Sequence, residues 1–269
     1  MSLALTNRLF IQTREFERKK TFKLDKKDLI RNAENYIGKQ GLIIVNKHYR
    51  TEMLEIFTDA FKHDPLPEYV TGIGTQDLVD EKKSHSKDLM MKFMFDWVNI
   101  DVITKKNGIV LGIRENDGLV GAVSIVPSKL DKSQSFIQMV RKAIKLGIPP
   151  TETSAYKQYF HSYSSKRLER LDDITTRRLQ IMKERGFDRY IYIQTIGVKT
   201  SHQGKGIGGK LLRTIFEMAA STNSICYLET ETKENVSLYN HLGFQTVDEL
   251  KINVPGDDAV LTMYCMLRA

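Results

Sequence analysis

The stretch Tyr190 to Gly209, YIYIQTIGVKTSHQGKGIGG, decides how the chain is read. A β-rich run reaches Val198, a short polar turn follows, and Gly204, Gly206, Gly208 and Gly209 open directly into an apolar helix covering Leu211 to Met218. Strand, glycine turn and helix together hold phosphate. Glycines accept positive φ and let a ligand come close to the backbone, while the unpaired N–H groups and the positive dipole end of the helix attract an anion. The first expectation is therefore a phosphorylated cofactor.

Working outward, the 269 residues are 41% hydrophobic and 28% charged, which describes a soluble globular chain with enough apolar surface for a core. The two cysteines, Cys226 and Cys265, each lie in a β-like apolar run and read as buried reduced thiols, so a reducing, cytoplasmic location is expected. No apolar run approaches the ~20 residues of a membrane span, so no membrane partner is expected. Net charge is +8, but residues 1–40 hold ten Lys/Arg against five Asp/Glu and the rest holds 31 against 28. The excess belongs to the N-terminal part, and no nucleic-acid motif accompanies it, so no nucleic acid is expected as a partner. No His, Cys and carboxylate cluster has metal-ligand spacing, and no catalytic metal is expected.

The pattern along the chain divides it into a basic N-terminal extension, 1–40, with a helix from Lys26 to Ile37, and one catalytic domain, 41–269. The domain begins with a strand at Leu42 to Val45 and a helix with the stripe Met53, Leu54, Ile56, Phe57, Ala60 and Phe61, ending at His63-Asp64-Pro65. A helix at Ser86 to Val98 is apolar nearly all round, through Met90, Met91, Phe93, Met94, Phe95 and Trp97, and reads as buried. Asp117-Gly118 joins strands Ile109 to Arg114 and Leu119 to Val126 as a hairpin. Residues 128–188 form a helical excursion in which Tyr156, Tyr159, Phe160 and Tyr163 make one stripe, read first as core packing and second as part of a substrate pocket. Strand 225–230, helix 234–241, strand 244–252 and strand 259–267 complete a mixed sheet with helices on both faces, an α/β fold.

The glycines fit three phosphate-binding patterns. Gly204-x-Gly206-x-x-Gly209 with Glu229 twenty residues on fits a dinucleotide site, but four polar residues precede the first glycine and too little chain follows for further βαβ units. The P-loop pattern fails at Leu211, where Ser or Thr must reach Mg²⁺. The third is Gln203-x-x-Gly206-x-Gly208, and its flanks agree: VKTSHQGKGIGGKLL followed by CYLETETKENVSLYNHLGF resembles the acetyl-CoA binding core of the GNAT superfamily of N-acetyltransferases, nearest to its small-molecule members that look like puromycin acetyltransferase. The likeness is specific over 190–244.

That resemblance implies a GNAT fold with a helical insertion before the central strand, acetyl-CoA as cosubstrate and a small-molecule amine as acceptor. It places the pyrophosphate on backbone N–H groups of Gln203, Gly204, Lys205, Gly206, Ile207 and Gly208, and the pantetheine arm along Ile196, Gly197 and Val198, with a kink at Gly197 opening the wedge. Tyr239 matches the acid that protonates the departing thiolate, and Asn235 a coenzyme contact. Gln194 stands where several members carry a carboxylate, so the base falls to Glu229, which reads equally as a salt-bridged strand-end residue, or to a water chain. Two-residue alternation puts Tyr190, Tyr192, Gln194 and Ile196 on one face and Ile191, Ile193, Thr195 and Gly197 on the other. Other readings are acetylation of a protein N-terminus or lysine, and a non-catalytic acyl-CoA sensor. The sequence leaves the amine and the oligomeric state open.

Overall fold

The computed structural model describes residues 23–103, 107–116, 118–132 and 164–269. The helices are α1 (Lys26–Glu34), α2 (Arg50–Ala60), α3 (Pro65–Thr71), α4 (Glu81–Ile103), α5 (Ser164–Arg170), α6 (Asp172–Glu184), α7 (Ile207–Ser221) and α8 (Lys233–His241). The strands are β1 (Leu42–Val45), β2 (Ile109–Glu115), β3 (Gly118–Pro127), β4 (Tyr190–Val198), β5 (Ile225–Thr230), β6 (Gln245–Asn253) and β7 (Val260–Arg268). They form one sheet in the order β1-β2-β3-β4-β5-β7-β6, antiparallel except for β4 and β5. A single parallel pair is incompatible with the doubly wound sheet of a dinucleotide fold, which removes the dinucleotide-site pattern.

Each helix goes where its apolar stripe sends it. α7 buries Ile207, Leu211, Leu212, Ile215, Met218 and Ala219 at helical spacing against Ile191, Ile193 and Leu228 of the central strands. At roughly 1.5–3 kcal/mol per fully buried aliphatic side chain, this stripe dominates the helix's own propensity. α1 joins the same face through Leu29 and Ala33, and Leu24 hydrogen-bonds to Ser128 through its N–H at 3.0 Å. Leu24, Leu29 and Ala33 are core residues. Residues 1–22 lie outside the described residues.

On the opposite face α2 packs Met53, Ile56 and Phe57 with Met91 and Phe95 of α4 over β2 and β3. α4 extends beyond its apolar run at both ends, and the side chains of Phe93 and Trp97 lie outside what is described. α3 and α4 cover β6 and β7 through Tyr69, Val70, Met90 and Met94, and α6 covers β5 and β7 through Ile181 and Met182. α3 is a helix the periodicity did not announce. Its seven residues begin with Pro65, whose fixed φ suits a first helical position, whereas the sequence reading took that proline only as the end of α2. The tyrosine stripe of residues 156–163 lies outside the described residues.

The sheet has a fork at its centre. β4 pairs with β5 only from Tyr190↔Ile225 to Tyr192↔Tyr227, while β5 stays paired with β7 up to Thr230 and β4 with β3 up to Val198. The edge of β4 from residue 193 to 198 therefore faces a gap. The irregularity that bends β4 is at Gln194, the extra residue between Ile193↔Ile125 and Thr195↔Ser124, and not at Gly197. An extra residue reverses the side-chain phase. Ile191, Ile193, Ile196 and Val198 consequently share the α7 face, which corrects the uninterrupted alternation expected from the sequence. Gly197 faces α2 instead, where an added Cβ would stand 2.9 Å from Phe57 Cδ1 and 3.2 Å from Ala60 Cβ. Its role is close helix approach.

Candidate active site

The gap between β4 and β5 opens beside the N-terminus of α7. Gly204 and Gly206 hold φ of 75° and 78°, which turns the chain sharply into the helix. An added Cβ at either glycine would meet nothing within 4 Å, so the turn borders open space. Among the described residues no partner takes the N–H groups of Gly204, Lys205, Gly206, Ile207 or Gly208, whereas that of Gln203 reaches Thr200 O at 3.3 Å. Free N–H groups and the dipole of a fifteen-residue helix make an anion site, and the donors present fit a pyrophosphate. The turn is held from below by Asp59 of α2, which accepts the Thr200 N–H at 2.7 Å, and by Gln203 Nε2, which donates to Val198 O at 3.2 Å.

Beyond β5 the chain enters α8 through Thr232, whose hydroxyl accepts the Asn235 N–H at 3.1 Å. That cap fixes where Glu231 and, two turns along the helix, Tyr239 stand. Tyr239 packs edge-on against Phe244 at 5.7 Å between ring centroids. Loss of hydration raises its phenol pKa, and the charges of Glu231 and Asp64 add to the rise. The Glu231 carboxyl is pushed up to about 8, first by loss of hydration, then by the negative field of Asp64. Asp64 is itself raised by burial, against the opposing fields of His63 and Lys87. It stands at the N-cap of α3 yet makes no side-chain capping bond, so its oxygens are not committed to the helix. Lys87 of α4 is fully buried, and burial lowers its pKa.

The charges of Asp64 and Glu231 thus act on one another and on Tyr239. Tyr239 is among the residues expected from the sequence, and the two carboxylates are not. Their signals were an aspartate directly before a helix-opening proline and a glutamate directly before a capping threonine.

Glu229 is placed otherwise. Its carboxylate accepts from Arg178 Nη1 at 2.8 Å with both side chains 4% exposed, so the salt-bridged alternative describes its surroundings. Burial still raises its pKa, with Arg178 opposing. Gln194 donates through Nε2 to Val98 O of α4 at 2.8 Å, which ties the bulge to the helix above it. Of the expected coenzyme contacts, Ile196, Gly197 and Val198 lie on the open edge of β4 and Asn235 lies one turn from Tyr239 on α8. Among the described residues no group of three His, Cys, Asp or Glu is arranged to hold a metal, and no helix is long and apolar enough to cross a membrane.

A forked mixed sheet with a glycine-initiated helix at the fork defines an acyltransferase of the GNAT class, and comparisons with known proteins agree. The family model for the acetyltransferase (GNAT) domain matches residues 174–246. A Schizosaccharomyces pombe protein named as an uncharacterized N-acetyltransferase is 30% identical over 210 residues, 78% of this chain and 75% of that relative. The N-alpha-acetyltransferase RimI of Mycobacterium tuberculosis is 40% identical over 57 residues, 20% of this chain and 35% of that protein. The solved structure of a putative arylalkylamine N-acetyltransferase 7 from the yellow fever mosquito Aedes aegypti superposes with a TM-score of 0.51 at 14% identity, covering 83% of this chain and 85% of that one. The chain belongs to the GNAT superfamily and is an N-acetyltransferase.

Proposed function

We propose that the chain transfers the acetyl group of acetyl-CoA to a primary amine of a small molecule by direct attack on the thioester. The observation that carries this reading is the fork of β4 and β5 beside the unpaired N–H groups at the start of α7. The pyrophosphate sits on the backbone N–H groups of 204–208, the Gln203 N–H being held by Thr200 O, and the pantetheine arm pairs with β4 along Ile196 to Val198, with Asn235 beside it.

An alkylammonium titrates near ~10.4, so it must lose a proton before it attacks. Glu231, with Asp64 beside it, takes that proton in place of the ion-paired Glu229, directly or through water. The amine nitrogen then bonds to the thioester carbon, and a backbone N–H near Val198 stabilises the oxyanion. As the C–S bond breaks, Tyr239 supplies the proton to the departing thiolate. Small amines are supported as acceptors by the mosquito neighbour, whose name specifies an arylalkylamine.

The test is free-thiol release from acetyl-CoA with arylalkylamines, polyamines, aminoglycosides and short peptides as acceptors. Turnover on one small-amine class supports the proposal. Turnover confined to peptides returns the chain to protein acetylation, and coenzyme binding without turnover on any class returns it to a sensor.

A further inference from the structure

A buried cluster at the root of the fork takes no part in the chemistry above. Arg178 of α6 is 4% exposed in its side chain and forks Asp131, with Nε to Oδ2 at 2.8 Å and Nη2 to Oδ1 at 3.0 Å. Its remaining nitrogen, Nη1, donates to Glu229 Oε1 at 2.8 Å, and its guanidinium carbon lies 3.7 Å from the centroid of the Tyr192 ring. The Tyr190 hydroxyl donates to the same Asp131 at 2.9 Å.

The positions of these partners give the cluster its meaning. Tyr192 and Tyr227 are the last residues at which β4 and β5 pair. Tyr192 carries the stacked face, and Glu229 lies two residues past Tyr227 on β5. One planar cation therefore grips both strands where their ladder stops, and it grips the exit of β3 through Asp131. Beyond that point no ladder bond sets the width of the gap. Burying three charged side chains is a costly way to attach a helix, since an apolar contact of the same size serves equally well. What the arrangement supplies is direction, because a guanidinium makes its bonds at fixed angles in one plane.

We propose that Arg178 is a positioning residue that sets the divergence of β4 and β5 and thereby the affinity for the coenzyme arm. The proposal rests on the reading that acetyl-CoA occupies this gap. Arg178 acts through the strands and touches neither the reacting atoms nor the anion site. Glu229 acts in it as an anchor and not as a base.

Coenzyme A affinity of the full chain is measured by calorimetry, together with kcat and KM for acetyl-CoA on whichever amine turns over best. R178K keeps the charge but cannot fork Asp131, reach Glu229 and lie flat on Tyr192 at once. The Kd and KM of this variant are expected to rise about tenfold while kcat changes less than about threefold. R178M in a D131N/E229Q background leaves no charge in this cluster, folds without that penalty and is expected to show the same weakened affinity. E229Q alone keeps an oxygen for Arg178 and retains wild-type affinity and most of kcat. Wild-type Kd in R178K overturns the proposal, as does a fall in kcat of about 10² in E229Q with coenzyme affinity intact, which makes Glu229 the base. Failure of the wild-type chain itself to bind coenzyme A removes the reading on which the proposal stands, and is distinguished by appearing without any substitution.

Discussion

Tyr239→Phe removes the only proton of the phenol while keeping the packing on Phe244, so kcat is expected to fall by about 10–10² with folding unchanged, as free-thiol release will show. Glu231→Gln is expected to lower kcat/KM by about 10² or more. In the wild-type chain the basic form of Glu231 accumulates as pH climbs through about 8, so kcat/KM rises over that range. Asp64→Asn removes one of the charges that push Glu231 up and moves the rising limb to lower pH, which a pH–rate profile checks. Stability has the opposite slope. Because the folded value of Glu231 lies above its ordinary 4.5, its contribution is complete below about 4.5 and is lost as pH rises through about 8. Glu231→Gln is therefore expected to melt above wild type at pH 9, by about 2–4 °C, and level with it at pH 4.

At the scale of the element, the turn into α7 depends on two left-handed glycines. Gly206→Ala meets no atom in space, so its cost is that of an L-residue at φ 78°, about 1–2 kcal/mol. The same strain turns the N–H groups away from the anion, and KM for acetyl-CoA is expected to rise about tenfold with kcat little changed. Elements were legible where they carried their own periodicity: β4, the β2–β3 hairpin, α7, β5, α8, β6 and β7 lie within a few residues of their expected places. The bulge at Gln194 was not legible, because it arises from how β3 and β4 register and leaves no mark in the composition of either strand. Nor was α3, whose seven residues are too few for a helical period to show.

At the scale of the whole molecule, α5 is fastened by Arg167, which forks Asp257 at 2.6 and 2.7 Å and donates to Tyr69 O at 2.7 Å. α5 is thereby joined to the β6–β7 connection and to α3, the helix that carries Asp64 at its start. Arg167→Met strands the Tyr69 carbonyl and removes a charge partner of Asp257, so a loss of about 3 kcal/mol is expected, read as a drop in Tm on the order of 10 °C. By itself the sequence determined the mixed sheet, the glycine turn and the family likeness, because each is written in residues close together along the chain. Only the tertiary structure suggests which carboxylates the proposed site uses. Asp64 lies on a different element from Glu231, 167 positions earlier in the chain, and the field that it exerts on Glu231 arises only in the fold. Glu229 stands two residues from Glu231, yet an arginine from the helical excursion claims it, and no local pattern records that pairing.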